Sequence, residues 1–263
     1  MTMMTLAVRD SATMLRRQLR HMSRKLPTML MLLAVPIIFL MLFVYVLGGT
    51  LGDGIGGGSG GRAAYVNYVT PGILLITIAG AVQGTAIAVA MDMTQGIIAR
   101  FRTMAIARVS VLTGHVLGSV LQTLLQLAVV LGVAVLVGFR PDATATEWLA
   151  TAGVLTATTF ALVWLAVAMG LATKTVEAAS NLPMPLLLLP LFGSGFVPTD
   201  SLPAGLRWFA EYQPFTPIME TLRGLLLGTP SGDSGVLALG WCALITLVGY
   251  LWAKWLYNRD RTR

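Results

Sequence analysis

The chain has 263 residues, of which 56% are hydrophobic and only 11% are charged, and its mean hydropathy is +0.79. Soluble domains carry about 25% charged residues, so the composition excludes an ordinary soluble protein and indicates a membrane protein. The net charge of +7 does not require a nucleic acid as partner, because excess Lys and Arg collect on the cytoplasmic loops of membrane proteins. The one cysteine excludes an intramolecular disulfide, and no motif predicts a metal site.

The first element is a basic amphipathic helix over residues 1–26. Apolar residues recur every three or four positions from Met4 to Leu26, and arginines occupy the other faces. Such a helix lies in the plane of an anionic membrane surface. A signal peptide is disfavoured because the basic region is too large and the apolar run that follows is too long.

Six apolar stretches are long enough to cross a hydrocarbon core, which takes about 20 residues each. The fold class is therefore an all-α membrane protein. Fourteen of the 18 Lys and Arg residues fall on one side if both termini are cytoplasmic, which predicts that orientation. The predicted spans are residues 28–47, 66–91, 109–138, 148–173, 178–197 and 235–256.

The glycine-rich stretch from Gly48 to Gly61, with nine glycines in fourteen residues, follows the first span. A phosphate-binding loop would need a strand before it and a helix after it. Because its flanks are membrane spans, the stretch is predicted to be a flexible external linker.

Between the second and third spans, residues 94–108 are too polar for a bilayer interior. This segment is predicted to be a short cytoplasmic helix that contacts a partner; the alternative is an ordinary surface loop with a positive-inside charge bias. Its candidate contact residues combine charge with apolar surface: Gly96, Arg100, Phe101, Arg102, Met104 and Arg108.

Several polar side chains lie inside predicted spans, where an unpaired polar group is costly, and four of them are candidates for a functional role. They either line a substrate path or form hydrogen bonds to a neighbouring helix: Gln83, Gln122, Gln126 and Asn181. GxxxG spacings at Gly80–Gly84 and Gly114–Gly118 indicate close helix contacts, within the chain or in a dimer. His115 is expected at the cytoplasmic membrane interface.

The fifth span contains Pro183, Pro185 and Pro190, so we expect it to be broken or bent. Residues 198–230 follow it on the external side. They predict two short amphipathic helices that lie at the outer leaflet or dip into it, with Trp208 and Tyr212 at the interface.

No catalytic chemistry is visible: the chain has no phosphate-binding loop, no catalytic triad pattern and no HExxH motif. No carboxylate lies inside a predicted span, which disfavours an ion-coupled carrier. Uphill transport would thus need energy from elsewhere, and segment 94–108 offers a docking place for an ATPase. A non-transporting membrane scaffold or an integral membrane enzyme is the alternative.

Two passages resemble the ABC-2 type transporters, nearest to the daunorubicin-resistance permeases of actinobacteria. One is the Gly96–Arg108 passage; in it Ala105 replaces a common proline, and beyond it His115 replaces a common arginine. The other resembles the family's signature before the last span. Its positions are Gly195, Phe196, Pro198, Pro203, Pro214 and Arg223.

The resemblance implies the fold of an ABC-2, or type V, exporter: one transmembrane domain over 1–263 with short re-entrant helices before the last span. It implies that residues 94–108 form a coupling helix in a groove of an ATPase, and that the 1–26 helix packs beside it. It further implies two ATPase subunits that bind ATP and Mg²⁺, a second permease copy or paralogue, a bacterial cell membrane, and efflux of a small amphipathic substrate, as in drug or antibiotic resistance. No cofactor or nucleic acid is expected in this chain.

Overall fold

A computed structural model describes residues 26–55, 61–94, 108–196, 203–229 and 232–258. All the regular elements in these ranges are helices. Five described helices are long and apolar enough to cross a membrane. The predicted interfacial helix, apart from Leu26, lies outside the described residues, as does the predicted linker at 56–60.

The first spanning element is one continuous helical rod of three parts. Helix α1 (Leu26–Met41) passes into a π-helical stretch (Leu42–Leu47) and then into α2 (Gly48–Ile55). The prediction that the span ends at Gly48 and becomes a flexible linker is therefore wrong for residues 48–55. Gly52 serves close packing instead, because a Cβ there would collide with the backbone of Gly61.

Helix α3 (Gly61–Thr94, 34 residues) is the centre of the molecule. It packs against α1, α2 and all the following helices except the last one and a short exposed helix described below. It contains Pro71 and remains helical on both sides of it. Its threonines Thr70, Thr77 and Thr85 donate their hydroxyls to the carbonyl four residues earlier, so these buried polar groups are satisfied inside the helix.

The third and fourth predicted spans correspond to α4 (Arg108–Val137) and α5 (Ala145–Ala172). Helix α5 begins with a capping box: the backbone N–H of Glu147 donates to Thr144 Oγ1, and the backbone N–H of Thr144 donates to Glu147 Oε2. The connection before it is tied to its neighbours, because the Arg140 N–H donates to Asn67 Oδ1 at 3.0 Å. The loop is thereby held to α3.

The fifth predicted span is not one long helix. It consists of α6 (Val176–Asn181), α7 (Met184–Leu188) and a 3₁₀ turn (Leu189–Phe192). The prediction of a broken segment is confirmed, and the breaks coincide with the prolines, which lack the N–H that a continuing helix needs. The expectation of a single span over 178–197 is replaced by these short pieces.

Two helices follow, as predicted, but their environments differ. In α8 (Ala204–Tyr212) every residue except Ala210 is exposed, Trp208 and Tyr212 among them, whereas α9 (Phe215–Leu227) is largely buried. Helix α9 packs against α3, α5 and the final helix α10 (Ser234–Asn258). It ends at Gly228, whose φ of +65° is a left-handed conformation that suits glycine.

Two close helix crossings occur at single glycines outside the GxxxG motifs. A Cβ at Gly170 in α5 would lie 2.6 Å from Ala86 O in α3, and one at Gly249 in α10 would lie 2.7 Å from Leu165 N in α5. By contrast, a Cβ at Gly80 would meet nothing within 4 Å. Gly170 and Gly249 therefore fix the approach of α3, α5 and α10.

Candidate functional site

Arg223 in α9 is the centre of a buried polar cluster. Its Nη2 donates to Ser194 O at 2.8 Å and to Tyr68 O at 3.4 Å, and its guanidinium carbon lies 4.0 Å from the centre of the Tyr68 ring. A cation over an aromatic face is attracted by the ring's quadrupole. One side chain thus joins α9, the loop after the 3₁₀ turn, and α3.

The loop Gly193–Phe196 approaches its neighbours so closely at its two glycines that a side chain there would meet other atoms below 3 Å. A Cβ at Gly195 would lie 2.7 Å from Met219 Sδ, and a Cβ at Gly72 would lie 3.1 Å from the Cα of Gly195. Tyr65 completes the contact, since its hydroxyl donates to Phe196 O at 3.3 Å. Glycine at 195 is thus required by packing between α3 and α9.

The residues of the predicted external signature are partly brought together by these contacts. Gly195, Phe196 and Arg223 form one cluster, while Pro214 and Pro203 precede the first residues of α9 and α8. Pro198 lies outside the described residues. Two carbonyls bind Nη2 of the guanidinium and an aromatic ring covers one of its faces, while its Nε is buried without a hydrogen-bond partner. The arrangement therefore works as an anchor rather than as an acid or base.

Two glutamine side chains donate to carbonyls of the broken segment. Gln83 Nε2 in α3 donates to Ser180 O at 2.8 Å, and Gln213 Nε2 donates to Leu189 O at 3.0 Å. Carbonyls at helix ends lack intrahelical partners, and these amides replace the missing N–H groups. Gln213 was not predicted as a functional residue. Its position before Pro214 is the only local signal in the sequence, and its burial is visible only in the structure.

The other predicted path residues occupy different positions. Asn181 ends α6, next to the carbonyl that Gln83 binds, and it is exposed. Gln122 and Gln126 lie one turn apart on α4; Gln122 is half-buried, and Gln126 is buried with no hydrogen-bond partner for its Nε2. The structure thus places Gln83 beside Asn181, and it places Gln122 beside Gln126.

A contact between an imidazole and a carboxylate joins the two helices that flank segment 94–108. His115 Nε2 in α4 lies 3.0 Å from Asp92 Oδ2 in α3, and both side chains are mostly buried. The predicted second span ends at residue 91, whereas α3 continues to Thr94 and carries Asp92 within it. The pair fixes the spacing of the two helix ends from which the segment emerges.

Most of the predicted contact residues in segment 94–108 lie outside the described residues: Gly96, Arg100, Phe101, Arg102 and Met104. Arg108 is the first residue of α4. Within the described part of the chain, no group of three or more His, Cys, Asp or Glu residues is placed to hold a metal ion.

Comparison with known proteins gives one family. A family model described as ABC-2 type transporter matches residues 10–227. The match includes most of the predicted interfacial helix, segment 94–108 and the Arg223 cluster, and it ends before α10. No curated protein matches the chain.

Proposed function

The chain belongs to the ABC-2 type transporter family, and from that premise we propose that it exports a hydrophobic or amphipathic compound with energy supplied by a separate ATPase. The family is the membrane permease component of ABC exporters and associates with ABC ATPase subunits. The observation that carries the proposal is the family match over residues 10–227. Drugs, antibiotics and lipids are the substrate classes that suit an apolar membrane protein of this kind.

The ATPase contact is proposed at segment 94–108. Arg100, Arg102 and Arg108 provide charge, and Phe101 and Met104 provide apolar surface for a groove on the partner. The Asp92–His115 pair supports this role, because it connects α3 and α4 next to both ends of the segment. A displacement of the segment by the ATPase would therefore be transmitted to both helices together.

The substrate path is proposed along the polar residues of the spans. Gln126 supports this proposal because a buried amide with an unsatisfied N–H is costly, by about 1–3 kcal/mol, unless a ligand or partner completes it. Gln122 is one turn away on the same helix face. Gln83 and Asn181 border the broken segment, where the backbone is least regular.

The complete exporter is proposed to contain two permease chains, identical or paralogous, and two ATPase subunits. Five long apolar helices make this a multi-pass membrane protein. The excess of Lys and Arg on one side supports cytoplasmic termini, and the resemblance to daunorubicin-resistance permeases supports a bacterial cell membrane. ATP and Mg²⁺ would bind to the ATPase and not to this chain.

Reversing the charge of the docking segment tests the proposal. In proteoliposomes that contain the permease and its ATPase, the double variant Arg100→Glu and Arg102→Glu should abolish substrate-stimulated ATP hydrolysis, because it removes the positive charge offered to the ATPase groove. The matched control is Arg261→Glu with Arg263→Glu, which makes the same charge change beyond the family match. That control should retain stimulation.

Unchanged stimulation and unchanged assembly in the Arg100 and Arg102 double variant would show that the segment is not the docking site. Co-purification separates the exporter from a membrane scaffold. A stoichiometric ATPase supports the exporter, whereas its persistent absence from the native membrane complex supports the scaffold.

A further inference from the structure

Two cavities meet between α5 and α10. The deeper cavity has a volume of about 180 Å³ and is closed on its far side by α7 and α9. The outer one is a groove of about 540 Å³ that opens on the surface of the helix pair. Cys242 lies in the wall of both, so the two cavities adjoin at its small side chain. The deeper wall includes Thr158, Leu162, Leu186, Phe215, Trp241 and Cys242.

The hydroxyl and thiol groups of Thr158, Thr246 and Cys242 in these walls are already bonded within the protein. Thr158 Oγ1 donates to Val154 O at 2.8 Å and lies 3.5 Å from Cys242 Sγ, which can donate to it. Thr246 Oγ1 donates to Cys242 O at 2.7 Å. A buried water needs two to four polar partners, and an engineered apolar cavity of about 150 Å³ in another protein stays dry and binds benzene. The deeper cavity is therefore suited to hydrocarbon and not to water.

The groove opens on the outer surface of α5 and α10, two helices that are long and apolar enough to span a membrane. Leu239 and Leu247 on its rim are 55% and 56% exposed, as expected of side chains that face lipid. At the opposite end from Leu239, the groove is closed where Gly249 approaches α5 and where the rings of Tyr250 and Trp164 lie 5.1 Å apart, edge to face. Bilayer hydrocarbon is thus present at the mouth of a dry pocket.

We propose that the deeper cavity binds the end of an acyl chain of a bilayer phospholipid. The rest of that acyl chain lies in the groove, and its end passes Cys242 to enter the cavity. The chain completes the packing between α5, α7, α9 and α10, where the protein's own side chains leave space. This site is separate from the polar path residues, none of which lines it, and it does not depend on what the exporter carries.

The test uses the full chain in nanodiscs of phosphatidylcholine with a diazirine at the end of one acyl chain. Irradiation should crosslink the probe to peptides that contain Trp241 and Phe215. Ala161 borders the deeper cavity, so Ala161→Phe fills it; the yield on those peptides should fall about tenfold, equivalent to about 1.4 kcal/mol of binding free energy. Ala152→Phe, at an exposed position on the same helix, should leave the yield unchanged.

A second variant keeps the test decisive if Ala161→Phe does not fold. Leu162→Ala enlarges the same cavity and should raise the crosslinking yield on the Trp241 peptide. The proposal is wrong if the yield is the same in the wild type and the folded variants. It is also wrong if crosslinks occur only at outward positions such as Leu244 and Leu251, or if extraction of the purified protein yields a stoichiometric apolar compound that is not a phospholipid.

Discussion

Helices α3 and α10 have nearly the same hydropathy and opposite surroundings. The most apolar 18-residue stretch has a mean hydropathy of 2.1 in α3 and of 2.0 in α10. In α3, 67% of that stretch is buried inside the protein, whereas in α10 only 22% is buried. Lipid tails are as apolar as leucine, so hydropathy draws both helices into a bilayer without deciding which becomes the centre. The position of a helix within the bundle therefore depends on features other than its hydropathy.

The central helix α3 is distinguished by small residues at its contacts and by buried hydroxyls that bond to its own backbone. Helix α3 carries Gly72 at its contact with the 193–196 loop, and its buried threonines bond to their own backbone. Helix α10 presents large side chains such as Leu247 and Leu251 to the outside and makes its one close approach at Gly249. Close approach of backbones, rather than apolar area, thus holds the centre together.

The largest effect is expected when the close crossing of α3 and α5 is obstructed. Gly170→Leu should prevent folding, because a side chain there must displace the backbone at Ala86; overpacking typically costs about 1–3 kcal/mol and more where backbone must move. The measurement is the fraction of monodisperse protein on gel filtration. Gly153→Leu on the same helix meets nothing within 4 Å and should behave as wild type. Equal recovery of both variants would contradict the packing described.

A smaller loss is expected when the anchor between α9 and α3 is removed. Arg223→Leu leaves the carbonyls of Ser194 and Tyr68 without this donor and should lower the free energy of unfolding by about 2–3 kcal/mol, measured by SDS titration. Arg207→Leu is the matched control. It removes an exposed i,i+4 pair with Glu211, and such a pair is worth at most about 1 kcal/mol. Similar effects of the two variants would argue against an anchoring role for Arg223.

The smallest expected effect tests most directly the difference in burial between α3 and α10. Leu74→Ala in α3 leaves a cavity at a fully buried position and should lower the free energy of unfolding by about 2 kcal/mol, the low end for such truncations. Leu251→Ala in α10, which is 52% exposed, should change it by less than about 0.5 kcal/mol, because lipid fills the space. The same SDS titration measures both, and equal values would mean that α10 is covered by protein.

The sequence predicts the spanning helices well because each depends on a local property, the length of an apolar run. Its error at Gly48 has a physical cause: glycine permits a flexible linker and also permits tight helix packing, and composition cannot distinguish the two. The proline breaks in the fifth region are local and were predicted. Arg223 was singled out by the resemblance alone, since its partners Tyr68 and Ser194 are far away in the sequence.

Contacts between distant residues account for what was missed. The Asp92–His115 pair needs both the true end of α3 and the register of α4, and neither can be derived from hydropathy. Gly170 and Gly249 lack the motif spacing that marks close contacts, so only the packed structure identifies them. The roles proposed for Arg100 and Arg102 stay predictions.

The broken fifth region has a mechanical consequence. Because the amides of Gln83 and Gln213, and not a continuous backbone ladder, bind the carbonyls of Ser180 and Leu189, this stretch can alter its bend by exchanging two side-chain contacts. Flexing α3 or α5 would instead break a run of main-chain bonds. Residues 176–192 therefore have a less continuous main-chain ladder than α3 or α5, and they lie directly against α3, the helix that leads to segment 94–108.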